Sequence, residues 1–303
     1  YRDLPYRLNQ WANVVRIETK QTRLFIRGRE FLWQEGHCVY ETKEQCDKET
    51  HLFLEEYQRL CEELLCIPVL LGRKTESEKF AGALYTLSIE SIMPDGKALQ
   101  CGTSHNLGQG FAKSFGISYI GKDEKSYLPW QNSWGASTRL IGAAVMIHSD
   151  DKGLVSPPEA CENKAVIIPI IFEKAKDKIL ASCSKLQKEL KNYNTILDVR
   201  EGYTSGYKFN DWELKGIPVR IEIGPKDLEK KQAVLVRRDT NKKEEVKLKD
   251  IKSRLNQVLK EMQEDMYKKA KQEMDKRIVK VEDVNSFRSN IENKKAVLAI
   301  FCE

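Results

Sequence analysis

Residues 13–37 read NVVRIETKQTRLFIRGREFLWQEGH, and this stretch decides the fold. It predicts two short strands joined by a polar connection, with arginines at 16, 23, 27 and 29 and carboxylates at 18, 30 and 35. Alternate residues of a strand share a face. Phe31, Trp33 and Glu35 therefore point one way and Glu30, Leu32 and Gln34 the other, while the same period groups Arg16 with Glu18 in the first arm. Arginine grips phosphate oxygens through a planar fork, and aromatic rings offer a surface for a flat base. One Arg/Glu pair on a hairpin would be an ordinary cross-strand contact, worth about 0.2–1 kcal/mol. The whole cluster points instead to a nucleotide site.

Beyond it, Leu52, Phe53, Tyr57, Leu60, Leu64 and Leu65 recur at three and four residues, which predicts an amphipathic helix over 42–66 with His51 on its surface. Residues 67–74 (IPVLLGRK) read as a buried strand, and ALYTLSIESIM alternates as another. Pro94-Asp95-Gly96 is a turn, 97–104 returns as the hairpin partner, and His105 follows in a loop. Residues 130–151 predict a strand entering a helix of small residues. Arg139 sits at that junction, where a helix N-terminus already favours phosphate. His148-Ser149-Asp150 has the residue types of a hydrolase triad, but three consecutive residues cannot converge as one. Residues 153–158 (GLVSPP) form an exit linker.

From residue 163 strands and helices alternate: strand 165–172, helix 173–192, strand 195–200, helix 205–216, strand 219–225, connection 226–232 and strand 233–239. That order argues a small α/β domain with a mixed sheet. Leu248, Ile251, Leu255, Leu259, Met262 and Met266 then define a long helix to about residue 276, and 296–301 (AVLAIF) reads as a strand whose partner lies beyond the chain.

A chain of 303 residues exceeds what one core usually organises, so two or more domains are expected. Hydrophobic content of 41% beside 32% charged residues predicts a soluble globular protein, and no run of about 18 apolar residues predicts a membrane partner. The net charge of +6 is compatible with a polyanionic partner. Eight cysteines without a CxxC pair or zinc-site spacing fit a reduced, cytoplasmic compartment. Neither a GxGxxG nor a GxxxxGK[ST] loop is present, which argues against a general nucleotide-binding module.

Arg16-Ile17-Glu18 with RGREFLWQEGH (27–37) resembles motif 2 of class II aminoacyl-tRNA synthetases, specifically the prolyl enzymes of eukaryotic and archaeal type. WQNSWGASTRLIGAAVMIHSDD (130–151) resembles their motif 3, KFAG and CGTSH stand between the two in family order, and GYKFNDWELKGIPVRIEIGPKDLEKKQAVLVRRD resembles their anticodon-binding domain. The resemblance implies an α+β catalytic domain built on an antiparallel sheet over 1–158. It implies an α/β anticodon-binding domain with a mixed sheet over 159–242, then a long helix and the start of a truncated, zinc-binding-like α/β module over 243–303. The chain's opening, YRDLPYRLNQW, lacks a capped first element, and the resemblance places motif 1, the homodimer interface, upstream of it.

The implied activity is proline-tRNA ligation, with ATP, Mg2+, L-proline and tRNA(Pro) and without DNA. The implied ATP site is Arg16, Glu18, Arg27, Glu30, Phe31, Gln100, Thr103 and Arg139, with the three arginines catalytic. The implied proline site is Arg16, Trp33, Glu35, His37, Phe80 and His105. Glu222, Lys226, Lys230 and Lys231 would contact the anticodon, and Cys302 would be the first zinc ligand of the C-terminal module. A threonyl-type enzyme would share the ATP residues but normally needs a zinc site for its amino acid, for which no ligand set appears. A noncatalytic tRNA-binding paralogue would be expected to have lost the motif arginines. No editing domain separates motifs 2 and 3, so the chain is not expected to edit alanine.

Overall fold

The computed structural model describes residues 1–172 and 175–300. Its first strand, β1 (Tyr6–Val15), pairs antiparallel with β2 (Glu30–Tyr40) along its whole length, from Tyr6 opposite Val39 to Val15 opposite Glu30. The two arms are therefore long, and Arg16 and Glu18 are not strand residues. The ladder stops at Val15, and the Arg16 N–H donates to the Arg29 carbonyl at 2.7 Å, closing the loop of residues 16–29. Ile17 is 98% exposed, so no apolar face holds this segment in a strand.

The Thr42 hydroxyl accepts from the Gln45 N–H while the Gln45 side chain accepts from the Thr42 N–H, a capping box that starts α1 (Lys43–Arg59). The helix is shorter than its apolar period predicted, because residues Leu60–Leu64 widen into a π-turn. The strand predicted over 67–74 is also corrected. Ile67 and Val69 are buried, but β3 itself (Leu70–Arg73) is an edge strand with Leu70 and Leu71 exposed.

The hairpin β4 (Tyr85–Ile92) and β5 (Ala98–Gly108) turns at Gly96, whose φ of +81° suits glycine. β5 runs past Ser104, so His105 is a strand residue and not a loop residue. Then come α2 (Gly110–Phe115), the short pair β6 (Tyr119–Ile120) and β7 (Ser126–Tyr127), β8 (Trp130–Ser137) and α3 (Arg139–His148). The sheet has the order β1-β2-β8-β5-β4-β3 and is antiparallel throughout. On the face that α1 covers, Phe53 stacks on Trp134 with centroids 3.9 Å apart. Gly36 makes room for that indole, since a Cβ there would lie 2.1 Å from the Trp134 ring.

The chain divides into two compact units: residues 1–63 and 67–143 with those from 271 on, and residues 64–66 with 144–270. In the second, β9 (Ala165–Pro169), α4 (Lys176–Glu189), β10 (Ile196–Leu197), α5 (Ser205–Leu214), β11 (Val219–Ile223), α6 (Pro225–Glu229), β12 (Gln232–Arg237) and β13 (Lys243–Lys247) precede α7 (Ile251–Asp275). Residues 173 and 174 of the predicted helix lie outside the described residues. The five-stranded sheet, β10-β9-β11-β12-β13, is mixed, with β9 parallel to β10 and β11 and the rest antiparallel. β13 carried no clear period, because its Lys-Glu-Glu-Val-Lys buries only Val246. One core joins Ile167, Ile221 and Leu235 to Ile179, Cys183 and Leu255, and a smaller one sets Val166 and Ile168 against Phe209 and Trp212.

After α7 the chain forms β14 (Ile278–Lys280), α8 (Val284–Glu292) and β15 (Ala296–Leu298). β15 is not without a partner, as it pairs in parallel with β14. Cys302 lies outside the described residues. Among those described, no helix is long and apolar enough to cross a membrane.

Candidate active site

Three adjacent strands of the antiparallel sheet build a cleft of about 430 Å³. Register brings the site residues into rows. Glu35 lies opposite Gly135, which lies opposite Thr103, while His37 lies opposite Ser133, which lies opposite His105. The period-2 reading of β2 holds: Phe31, Trp33, Glu35 and His37 all line the cleft, whereas Gln34 turns away and accepts from the Tyr57 hydroxyl. Arg16, Phe80, Gln100, Thr103, His105 and Arg139 complete the set of predicted residues that it gathers.

The Arg16 guanidinium stands 5.1 Å from the Phe31 ring centroid and 5.7 Å from that of Trp33, and the two rings meet edge to face at 5.9 Å. The rings hold the guanidinium by cation–π attraction. Arg139 begins α3, and its Nε donates to the Ile26 carbonyl at 2.9 Å and its Nη1 to the Gln100 carbonyl at 3.3 Å. Burial, followed by the neighbouring guanidinium of Arg27, lowers the Arg139 pKa from its ordinary value. Arginines crowded in this way form a site that an anion would relieve. Arg27 itself pairs with Glu18 at 3.1 Å, and Glu30 accepts from the Asn13 amide at 2.6 Å. These three stand outside the cleft lining.

On the other side of the cleft, Phe80 packs against His105 with centroids 4.9 Å apart. The Phe80 N–H donates to the Thr86 hydroxyl at 2.9 Å, and that hydroxyl lies 2.8 Å from His105 Nδ1. Thr86 is buried. Its proton is satisfied when it donates to Nδ1, which leaves the imidazole proton on Nε2. Burial pushes the His105 pKa down to about 4. Glu35 accepts from the Gln10 amide and lies 3.2 Å from His37 Nε2. Lys74, Thr86 and Ser133 also line the cleft and were not singled out by sequence reasoning. The signal for Thr86 was a hydroxyl on the inward period of an apolar strand.

His105 sets a pH dependence. Its folded pKa is depressed, so between about pH 6.5 and about 4 the unfolded chain binds the extra proton. The unit holding His105 is therefore expected to lose stability as pH falls through that window. Unfolding midpoints at pH 7, 5.5 and 4 measure this, and His105→Asn should flatten the loss.

In the second unit the predicted anticodon residues separate. Glu222 is buried, 2.9 Å from Arg220 and 3.8 Å from Lys243, whereas Lys226, Lys230 and Lys231 are exposed around α6. Of the rejected triad, His148 Nε2 is bonded to the Leu65 carbonyl and Asp150 to Arg238, so the two side chains serve different contacts. Among the described residues, no group of three or more His, Cys, Asp or Glu side chains could hold a metal ion.

Residues 1–148 match the family described as tRNA synthetase class II core domain (G, H, P, S and T), and residues 164–258 match the anticodon binding domain. The chain is 46% identical over 302 residues to a Proline--tRNA ligase of Natranaerobius thermophilus, an alignment spanning 99% of this chain and 62% of that protein. It is 47% identical over 302 residues to that of Oceanobacillus iheyensis, spanning 100% and 63%. With a cytoplasmic Proline--tRNA ligase of Arabidopsis thaliana it shares 43% over 307 residues, spanning 100% and 58%. The chain thus spans about three-fifths of the length of the curated relatives it matches. By its core domain, its anticodon-binding domain and these homologues, the chain belongs to the class II aminoacyl-tRNA synthetases.

Proposed function

We propose that this chain carries the catalytic and anticodon-binding parts of a proline-tRNA ligase that activates L-proline with ATP and transfers it to tRNA(Pro). The observation that carries the reading is one cleft lined by Arg16, Phe31 and Arg139 together with Trp33, Glu35, His37, Phe80 and His105. Phe31 and His37 are six residues apart on one strand, about 20 Å, enough for a nucleotide and an amino acid end to end.

The proline carboxylate attacks the α-phosphorus of ATP, the bond to the β-phosphate oxygen breaks, and pyrophosphate leaves. The terminal ribose hydroxyl of tRNA then attacks the adenylate carbonyl, and AMP leaves. Such reactions need positioning and charge stabilisation more than protein acid-base chemistry. Arg16 holds the α-phosphate and the substrate carboxylate, Arg27 and Arg139 the β- and γ-phosphates, and Phe31 stacks on adenine beside Gln100 and Thr103. Glu35 and His37 face the secondary ammonium, and Trp33, Phe80 and His105 enclose the methylenes. Magnesium takes phosphate oxygens and water with one or two carboxylates, and Glu18 and Glu30 are the carboxylates nearest the motif arginines in sequence. The protein works as a cytoplasmic homodimer.

Amino-acid-dependent exchange of labelled pyrophosphate into ATP tests the reading. Exchange with proline and not with threonine is expected. Threonine-dependent exchange, or tRNA binding without exchange for any amino acid, would overturn it.

A further inference from the structure

The loop of residues 16–29 is closed at its base by the bond from the Arg16 N–H to the Arg29 carbonyl, and its tip is folded just as tightly. Arg23 and Arg27 exchange backbone hydrogen bonds of 3.0 and 2.9 Å, the Ile26 N–H donates to the Leu24 carbonyl at 2.7 Å, and Phe25 between them takes φ of +57°. Little apolar burial holds this tip, since Leu24 is 79% exposed and Phe25 40%. The ion pair from Arg23 to Asp95, 3.8 Å between exposed groups, adds little. What the tip meets is α3. Gly142 is buried there, three residues beyond Arg139 and so on the same face of the helix. A Cβ on Gly142 would lie 2.8 Å from Ile26 Cδ1 and 3.0 Å from Phe25 Cβ, and outside the helix the three atoms nearest to it all belong to these two residues. The glycine does not serve backbone freedom, because it lies within a helix, where alanine is the better residue. Its missing side chain lets the tip approach. The same tip offers the Ile26 carbonyl to Arg139 Nε at 2.9 Å, while Arg139 Nη1 donates to the Gln100 carbonyl at 3.3 Å. Two carbonyls thus fix the plane of a guanidinium that lines the cleft, and one of them moves with the tip.

We propose that Gly142 is a positioning residue for the reaction: the notch it leaves in α3 seats Phe25 and Ile26 and, through the Ile26 carbonyl, sets the plane of the Arg139 guanidinium toward the phosphates of ATP. The proposal rests on the reading of this cleft as the place where ATP is attacked, and adds to it a residue that touches no substrate. A planar fork meets phosphate oxygens in one plane, so a tilt costs it more than it would cost the point charge of a lysine. A methyl group at position 142 would meet the Cβ of Phe25, which cannot swing aside as the end of a side chain can. The tip must then give by a few tenths of an ångström, and the Ile26 carbonyl moves with it. Trp33, Glu35, His37 and His105 stand instead on β2 and β5, in ladders that the tip does not join. The notch therefore acts on the phosphates and leaves the amino-acid box in place.

The test is Gly142→Ala. A misplacement of about 1 Å costs on the order of 10²-fold in rate, so a shift of a few tenths should lower kcat/KM for ATP in proline-dependent pyrophosphate exchange by roughly 10-fold. KM for proline should be unchanged, and the thermal midpoint should be equal or higher, because alanine favours the helix. A glycine needed only for packing would instead lower the midpoint and impair both substrates alike. Ile26→Val removes the Cδ1 that stands closest to the added methyl, so in the Gly142→Ala background it should recover much of the loss, while alone it should change the ATP kinetics little. Independently of activity, trypsin should cut the folded variant after Arg23 and Arg27 faster than it cuts the unaltered protein, because the tip is no longer seated. Unchanged ATP kinetics in the folded variant, or a loss that Ile26→Val leaves in place, would overturn the proposal. Absence of exchange in the unaltered protein would remove the proposed function; faster cleavage of the variant would then still establish the notch as the seat of the tip, and unchanged cleavage would overturn that as well.

Discussion

Replacing Arg16 with alanine is expected to lower proline-dependent pyrophosphate exchange by at least 10²–10³-fold, roughly the effect of removing one preorganised charge-stabilising donor, while the protein stays folded. The side chain contributes little to the fold: it lies in a loop and is held against Phe31 and Trp33 by two cation–π contacts. Such contacts are worth about 0.5–1 kcal/mol at exposed sites, a small part of the stability of a domain. In the proposed chemistry the same guanidinium meets the α-phosphate and the attacking carboxylate, where charge is redistributed in the transition state. Arg16→Lys should recover little, because an ammonium group keeps the charge but loses the fork and the stacking plane. Exchange kinetics and thermal unfolding, measured on the same preparations, separate the two effects. Full exchange by a folded alanine variant would remove Arg16 from the site.

The largest expected loss of stability lies in the second unit, at Asp198. Asp198 is 3% exposed and Lys208 4%, and the carboxylate accepts from Arg200 at 2.7 Å and from the Trp212 indole at 2.8 Å, with Lys208 Nζ 3.8 Å away. Burial alone would raise the Asp198 pKa. The bonds from Arg200 and Trp212, with the charge of Lys208, outweigh it and hold the group well below the usual carboxylate range. Removing one member of such a buried set strands a desolvated ammonium, which costs about 3–5 kcal/mol. Asp198→Ala is therefore expected to destabilise this unit by that amount in urea unfolding. Asp198→Asn should be nearly as costly, because it keeps the shape but not the charge.

The sign of the pH effect follows from the same residues. A depressed carboxylate stabilises above its unfolded pKa and loses that contribution as pH falls through its folded value. Asp150, held down to about 2 by the Arg238 guanidinium, behaves likewise. Acid unfolding of this unit should thus begin below about pH 4, the unfolded aspartate value, and Asp198→Ala should weaken the dependence.

Much of this molecule was legible before any coordinates. Strand period placed Phe31, Trp33, Glu35 and His37 on one face, and the small-residue run after Arg139 placed that arginine at a helix start. Both are local properties, fixed by backbone geometry within a few residues. What failed was the extent of elements whose limits depend on neighbours. β1 was missed ahead of Asn13 because Tyr6, Leu8 and Trp11 are exposed on both faces of an edge strand, with no core to sharpen the pattern. The end of β1 at Val15, and so the loop that carries Arg16, is set by where β2 stops offering hydrogen-bond partners.

The sequence by itself determined the class of fold, the order of the motifs and the chemistry of the arginine and aromatic cluster, since these rest on residue type and spacing. Only the tertiary structure decided which of those residues meet. Register across β2, β8 and β5 set Glu35 beside Gly135 and Thr103, and His37 beside Ser133 and His105. Packing left Glu18 and Arg27 paired outside the cleft lining, and burial lowered the pKa of His105. Residues distant in the chain become neighbours only through strand pairing, and a buried group's protonation depends on everything packed around it.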